Sequence, residues 1–178
     1  MHKIGLIDYG MGNIHSVTKS LESLGEEIIL IKNFNESKNC KAIILPGVGS
    51  FDPAMINLKN TDLINDLKNW INTGKSFLGI CLGLQLLFES SDEGKVQGLG
   101  ILKGKIQKIP CVANQRIPHM GWCELLPTKP NTLLHLEELN NWAYFVHSYH
   151  AIPDDISIIA AQVNYGSEKL TAMIEIDN

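Results

Sequence analysis

Strand and helix signals alternate along the first half of this 178-residue chain, and this alternation most limits what the chain can fold into. Short apolar runs predict four strands, at residues 3–8, 27–31, 42–45 and 77–80. Helical spacing of apolar residues predicts three helices, at residues 13–24, 61–73 and 82–89. Thr61 is the expected N-cap of the second helix. A β-α-β order of this kind predicts an α/β fold with a mainly parallel central sheet and helices on both faces.

From Val96 onward the pattern changes to short β-rich runs separated by Pro and Gly. Two such runs flank the turn-forming residues 164–167 (Asn-Tyr-Gly-Ser), which predicts a hairpin. The second half therefore adds an antiparallel layer, and we expect a single domain over residues 1–178. An α/β domain of this type normally finishes with another strand and a covering helix. No pattern for either follows the hairpin in residues 1–178, so we expect this domain to lack them.

Composition and charge narrow the classes of function. The net charge is −4 and no basic cluster occurs, so nucleic acid is not an expected partner. No apolar segment is long enough to cross a bilayer, and acidic Asp8 comes too early for a signal peptide, which predicts a cytoplasmic protein without membrane contact. The four cysteines form no CxxC pair and no HExxH pattern occurs, so we expect no disulfide framework and no metal site.

A cysteine stands between two glycines where the fourth predicted strand ends, in Gly79-Ile80-Cys81-Leu82-Gly83. This is the pattern of a nucleophile elbow, in which small residues permit a sharp strand-to-helix turn. The backbone N–H groups at a helix start favour a thiolate and can hold the oxygen of a tetrahedral intermediate. The alternative is a buried core thiol in a tight turn, and the local pattern alone does not choose between the two.

Four further motifs occur in order around this turn. They are IDYGMGNIHSV (residues 7–17), LPGVGSF (45–51), PHMGW (118–122) and YFVHSY (144–149). Together with ICLGLQLLFE they resemble the class I glutamine amidotransferases and, more narrowly, the glutaminase subunits of imidazole glycerol phosphate synthase. The resemblance covers residues 1–178, and it implies the class I glutamine amidotransferase fold with no cofactor and no metal.

The resemblance implies a role for each matched residue. Cys81 would attack the side-chain amide of glutamine, giving a glutamyl thioester and ammonia, and water would then release glutamate. The oxyanion N–H groups would come from Val48, Gly49 and Leu82. The glutamine-binding residues would be Gly47, Gly83, Gln85, Ser148 and Tyr149. On their own, residues 46–49 also fit an ordinary turn, and residues 147–149 also fit a half-buried strand.

The resemblance also implies a docking face for a HisF-type cyclase subunit, a TIM barrel that would use the ammonia to make imidazole glycerol phosphate in histidine biosynthesis. The implied interface residues are Asn13, Pro118, His119, Met120 and Trp122. For Trp122, core packing is the alternative interpretation. The family usually has Asn after this Trp, whereas this chain has Cys123, which puts a polar contact at the interface in doubt.

The family's catalytic triad is Cys-His-Glu, and its His and Glu lie in a late F-H-P-E segment that has no match in residues 1–178. His147 and His150 are three apart on one predicted strand, so they would face opposite sides. We therefore expect little or no glutaminase activity from this chain. The rival hypotheses are a paralogous amidotransferase that supplies ammonia in surface polysaccharide synthesis, a non-catalytic binding module for the synthase, and a cysteine hydrolase of the related peptidase type. The last leaves Gln85 and PHMGW unexplained.

Overall fold

The structure is a computed structural model that describes residues 2–130 and 141–176. Its α-helices are α1 (Ile14–Ser23), α2 (Phe51–Lys59), α3 (Leu63–Asn72) and α4 (Leu82–Gln85). Its strands are β1 (Lys3–Ile7), β2 (Glu27–Ile31), β3 (Ala42–Leu45), β4 (Ser76–Gly79), β5 (Ser90–Ser91), β6 (Gly104–Lys108), β7 (His119–Glu124), β8 (Leu126–Pro127), β9 (Trp142–His147), β10 (Tyr149–Pro153), β11 (Ile159–Tyr165) and β12 (Glu168–Ile174). The chain divides into two compact units between Leu102 and Lys103; the single-domain expectation stays a prediction.

The first unit, up to Leu102, is built on a parallel sheet. Its strand order is β2-β1-β3-β4, and β1 pairs in parallel with both β2 and β3. The strands are short and rich in β-branched residues, and their inward side chains form the core; Leu6, Ile31 and Leu45 are fully buried. Helical segments link successive strands, as parallel pairing requires. The prediction of an α/β fold with a parallel sheet and added antiparallel strands is confirmed.

The second unit, from Lys103, is antiparallel in its described residues. β6 pairs with β10, β7 with β9, and β11 with β12 and β8. The β11–β12 pair is the hairpin predicted around residues 164–167, with Gly166 at φ +60° in its turn. A small core of Ile109, Val163, Tyr165 and Leu170 lies against these strands.

Two helix predictions were wrong in detail, and a third helix was missed. The helix that follows Cys81 ends at Gln85 rather than at residue 89, although Leu86, Leu87 and Phe88 are all buried, because apolar periodicity continues through the turn that follows it. The helix predicted at 61–73 begins at Leu63 with Asp62 as N-cap. The helix α2 was not predicted.

Candidate active site

Cys81 lies at the carboxyl edge of the parallel sheet, next to the place where the strand order reverses. The chain passes from β1 outward to β2 and then returns to β3 on the other side of β1. Such a reversal opens a crevice at the carboxyl ends of the strands, where α/β proteins bind ligands. Since Leu45 pairs with Gly79, the segments after β3 and β4 leave the sheet side by side. These segments are residues 46–49 and 80–83.

The backbone at Cys81 has the strained conformation of a nucleophile elbow. Cys81 has φ +54° and ψ −115°, a region that non-glycine residues rarely occupy. The turn is held by a hydrogen bond from the N–H of Ile80 to the carbonyl oxygen of Leu45, at 3.0 Å. Cys81 is exposed as a residue, although neighbouring protein atoms partly surround its sulfur. Exposure and strain together exclude the alternative of a buried core cysteine.

Two glycines allow the 46–49 loop to lie directly against the elbow. A Cβ atom on Gly83 would lie 1.9 Å from the carbonyl oxygen of Leu45, and one on Gly47 would lie 2.8 Å from the nitrogen of Gly83. No side chain fits at either position. The predicted oxyanion loop and the predicted nucleophile are therefore neighbours, which is the arrangement that their chemistry requires.

The loop continues through two exposed residues. Gly49 has φ +98°, a conformation that favours glycine, and the side chain of Val48 is half exposed. Leu82 is buried at the start of α4. Gln85, the last residue of α4, lies one helical turn after Cys81, and its N–H donates to the carbonyl oxygen of Cys81 at 3.2 Å.

The pKa of the Cys81 thiol departs from the sequence-based expectation. Surrounding protein atoms displace water and raise this pKa above its ordinary value, while a backbone hydrogen bond from Leu82 acts in the lowering direction. A helix over residues 82–89 was expected to favour the thiolate at this turn, which means a lowered pKa. The four-residue α4 has few aligned peptide dipoles, so desolvation dominates. Cys81 therefore needs a base to become a thiolate at neutral pH.

Tyr9 supports the 46–49 loop through a hydrogen bond, and the sequence analysis did not predict this role. Its hydroxyl donates to the carbonyl oxygen of Pro46 at 2.9 Å, and it would lie 2.9 Å from a Cβ atom on Gly47. Burial raises the pKa of Tyr9, and the neighbouring Cys81 raises it further. The phenol therefore stays protonated and keeps donating to the loop. Because the two partners lie 37 residues apart, no local sequence pattern announces this bond.

Two acidic residues fix the helix that follows the loop. The N–H of Phe51 donates to Glu93 Oε2 at 2.8 Å, which supplies the cap that Ser50 does not provide at the start of α2. Asp52 accepts from the N–H groups of Lys95 and Val96, each at 3.0 Å. These bonds tie α2 to residues 93–96 and hold the end of the loop in place.

The segment around residues 147–150, predicted as one strand that lines the glutamine site, forms two strands in the structure. β9 ends at His147, Ser148 forms a bend, and β10 begins at Tyr149 in a different pairing. The expectation that His147 and His150 lie on one strand is therefore wrong. The carbonyl oxygen of Ser148 accepts from the N–H of Ile109, at 2.9 Å. The bend is therefore held by a residue that belongs to neither β9 nor β10.

An exposed apolar face, here called the outer face, lies on the β7–β9 pair. Its five side chains are between 53% and 65% exposed: Met120, Trp122, Trp142, Tyr144 and Val146. Trp122 and Tyr144 pair across the strands and contact edge to face, with ring centroids 5.7 Å apart. Core packing for Trp122 is thereby excluded. Trp142, Tyr144 and Val146 were not predicted, although alternate residues of WAYFVH share one face.

His119 was predicted with this face, but its ring lies on the opposite side of β7. It is 7% exposed and stacks on Phe145, with ring centroids 5.4 Å apart. Successive side chains of a strand point to opposite faces, so His119 cannot lie beside Met120. Pro118 precedes the strand and is exposed. Asn13 is also exposed and caps α1, accepting from the N–H of Ser16 at 3.1 Å.

The described residues contain neither a cluster of metal-ligating side chains nor a membrane-spanning helix. Within residues 2–130 and 141–176, no group of three His, Cys, Asp or Glu side chains is placed to hold a metal ion. No helix in the same residues has the length and apolar character needed to cross a bilayer. All four cysteines are free thiols.

Comparison with known proteins identifies the family to which this chain is similar. The family described as "Glutamine amidotransferase class-I" matches residues 5–178. The subunit HisH of imidazole glycerol phosphate synthase from Prochlorococcus marinus strain MIT 9312 is 92% identical over 178 residues, which cover this whole chain and 87% of that protein. The HisH of Prochlorococcus marinus subsp. pastoris is 74% identical over the same coverage of 100% and 87%.

Among solved structures, a glutamine amidotransferase crystal structure shares the fold with a TM-score of 0.68. It is 17% identical to this chain, and the match covers 94% of this chain and 87% of that one. The PurLQS structure from Thermotoga maritima matches with a TM-score of 0.64 at 18% identity, covering 97% of this chain and 78% of that one.

Proposed function

The chain belongs to the class I glutamine amidotransferases, and we propose that it is the glutaminase subunit of an imidazole glycerol phosphate synthase in histidine biosynthesis. It would hydrolyse glutamine to glutamate and ammonia. The 92% identity to a HisH subunit over the whole chain supports this assignment within the family. The alternatives of a paralogue for polysaccharide synthesis and of a peptidase-type hydrolase have no observation in their favour.

The observation that carries the proposed chemistry is the contact between the elbow and the 46–49 loop. Cys81 is an exposed residue on a strained turn, and the glycine-rich loop lies so close to that turn that a Cβ atom added to Gly47 would come within 2.8 Å of the Gly83 nitrogen. A carbonyl carbon held at the thiol would place its oxygen between the two backbone segments. The N–H groups of Leu82 and of the Val48–Gly49 peptide would then stabilise the oxyanion.

In the proposed reaction, Cys81 Sγ bonds to the amide carbon of glutamine and the C–N bond breaks. The thiol proton ends on the departing nitrogen, so ammonia leaves and a glutamyl thioester remains. Water then adds to the thioester, which releases glutamate and restores the thiol. Gln85 would help to hold the substrate, and Gly47, Gly83, Ser148 and Tyr149 would line its site.

A base must carry the thiol proton, since the pKa of Cys81 is raised. In the second unit, burial lowers the pKa of His119 and His147, and it lowers the pKa of His150 to about 4. These rings are neutral at about pH 7, but a lowered pKa makes each of them a weaker base and matches it poorly to a thiol whose pKa is raised. Turnover by residues 1–178 measures whether this chain supplies a base of its own.

The first experiment uses a glutamine analogue that carries a diazoketone in place of the amide. The thiol of Cys81 would displace N₂ from this probe and form a stable thioether, which peptide mass spectrometry locates. We expect the adduct on Cys81 and its loss in Cys81→Ser, while Cys111→Ala, which removes another exposed thiol, still reacts. An adduct on another cysteine, or glutamate release that persists in Cys81→Ser, would refute Cys81 as the nucleophile.

We further propose that the outer face docks a HisF-type cyclase subunit, which receives the ammonia. Five exposed apolar and aromatic side chains on one strand pair form the kind of anchor cluster that protein interfaces bury. Pro118 would contribute a rim contact, and Asn13 in the first unit stays a predicted interface residue. This heterodimer would work in the cytoplasm, where a reducing environment keeps four free cysteines as thiols.

Titration of the cyclase subunit against this chain tests the docking proposal. Trp122→Ala should weaken binding by about 30-fold or more, because a central aromatic anchor contributes about 2 kcal/mol or more. Ile156→Ala is the matched control, since Ile156 is 77% exposed and lies outside the outer face. Equal effects of the two substitutions would rule out the outer face. Tight binding without any turnover by the wild-type chain would favour the binding-module hypothesis.

A further inference from the structure

Cys123, the residue at which this chain departs from the family pattern, lies at one end of a row of polar side chains in the second unit. Its sulfur lies 3.2 Å from His119 Nε2. His119 Nδ1 lies 2.8 Å from His147 Nε2. At the other end, His147 Nδ1 lies 2.9 Å from the carbonyl oxygen of Tyr149. Three side chains thus connect β7 to the first residue of β10.

The carbonyl oxygen at the end of the row fixes the direction of every bond in it. A carbonyl can only accept, so His147 Nδ1 must carry a hydrogen. In a neutral His147, Nε2 is then the acceptor, and His119 Nδ1 must donate to it. The same logic leaves His119 Nε2 as an acceptor, so the S–H of Cys123 is the donor that ends the row.

Both rings are held in the neutral form that this direction needs. Desolvation is the main cause that lowers the pKa of each ring. For His147 the bond to the Tyr149 carbonyl acts in the raising direction, and the neighbouring His119 lowers the pKa further. His119 is 7% exposed and packed between Phe145 and Tyr165. The packing leaves the rings little freedom to turn away from the row.

We propose that Cys123, His119 and His147 are positioning residues that hold the Ser148–Tyr149 bend through this one-directional row of hydrogen bonds. The proposal rests on the proposed function in one respect, because that function makes Ser148 and Tyr149 part of the glutamine site.

Long-range ¹H–¹⁵N NMR of histidine-labelled protein tests the row directly, because protonated and bare ring nitrogens differ strongly in shift. We expect hydrogen on Nδ1 and none on Nε2 in both His119 and His147. In Cys123→Ala the donor to His119 Nε2 is gone, so the ¹⁵N shift of that bare nitrogen should move while the tautomer, which the Tyr149 carbonyl fixes, is kept. In uniformly ¹⁵N-labelled protein the amide shifts of Ser148 and Tyr149 should also move, because the row has lost one of its bonds. Cys123→Ser restores a donor and should restore both signals, while Cys111→Ala should change neither.

Kinetics add a readout that is specific to substrate positioning. Cys123→Ala should raise KM for glutamine by about threefold to tenfold with kcat little changed, as expected for the loss of one hydrogen bond, and Cys123→Ser should return KM towards the wild-type value. Hydrogen on Nε2 of either ring in the wild-type protein overturns the proposal, and so do unchanged Ser148 and Tyr149 shifts in Cys123→Ala. Absence of glutaminase turnover in the wild-type chain counts against the proposed function alone, since the NMR result stands without it.

Discussion

Substituting Gly83 by Ala tests whether close backbone contact, rather than flexibility, explains the glycine after the elbow. Gly83 is a helical residue of α4, and its φ is not among the positive values of the chain. An alanine can adopt this backbone conformation. Intrinsic helix propensity alone would therefore predict that Gly83→Ala stabilises the protein, by about 1 kcal/mol.

The structure predicts the opposite sign. The new Cβ atom would lie 1.9 Å from the carbonyl oxygen of Leu45 and 2.8 Å from the carbonyl carbon of the same residue. An ordinary contact needs about 3.4 Å, so two backbone segments must separate by about 1.5 Å. Neither segment can yield as a flexible side chain would. We expect Gly83→Ala to reduce the free energy of unfolding by about 3 kcal/mol or more.

Gly25→Ala is the matched control. Gly25 has φ +85° and no atom within 4 Å of an added Cβ, so that substitution introduces backbone strain without a clash. Its expected cost is about 1–2 kcal/mol. The two variants separate a steric requirement for glycine from a conformational one.

Urea denaturation followed by tryptophan fluorescence measures both variants. Trp70 is 5% exposed and lies in the same unit as Gly83, so its emission reports on the relevant core. The diazoketone label on Cys81 reports on the site. A Gly83→Ala protein that is as stable as Gly25→Ala, or that is labelled at the wild-type rate, would refute the close-contact argument.

Three further predictions concern groups around the same loop. Tyr9→Phe removes the donor to the buried carbonyl of Pro46 and should lower the free energy of unfolding by about 1–3 kcal/mol in urea titrations; an unchanged value would show that the bond contributes nothing. Alkylation of Cys81 by iodoacetamide should reach half its limiting rate at a higher pH than alkylation of free cysteine, because its pKa is raised; a lower midpoint would contradict the desolvation argument. The pKa of Asp52 lies below its ordinary value of 3.8, chiefly because the N–H groups of Lys95 and Val96 bond to its carboxylate. Its stabilisation is therefore present above its unfolded pKa and lost as the pH falls through the lower folded pKa. Asp52→Asn should thus destabilise the protein at about pH 7, and the difference from wild type should shrink as the pH falls below 3.8; a difference of constant size would disprove the reasoning.

The sequence was informative wherever a structural requirement is local. The strands of the parallel sheet follow from short β-branched runs, and all four lie within about one residue of the prediction. The glycines around Cys81 could be interpreted in the same way, because a sharp turn and a close contact both exclude a side chain. The exposed Met120 and Trp122 agreed with their predicted surface role.

Contacts between distant residues were not predictable. Tyr9 bonds to a residue 37 positions away, and Glu93 caps a helix that begins 42 positions away. Neither contact produces a periodic pattern in the sequence. Helix α2 was missed although Pro53 lies in its first turn, where proline is tolerated. The end of α4 was misplaced because Leu86 is buried in a turn as deeply as in a helix, so burial periodicity alone could not mark the boundary.

The two-sided β7–β9 ribbon has a consequence for how such a subunit changes its partner over evolution. The side chains that would meet a partner alternate along each strand with those that hold the Ser148–Tyr149 bend. Substitutions at positions 120, 122 and 144 can alter partner choice while the histidine side stays intact. Insertion of a single residue in β7 would exchange the two sides and damage both roles at once. Divergence of this ribbon should therefore proceed by substitution at alternate positions and without insertions or deletions, and libraries that seek new partner pairs should randomise only the outward positions.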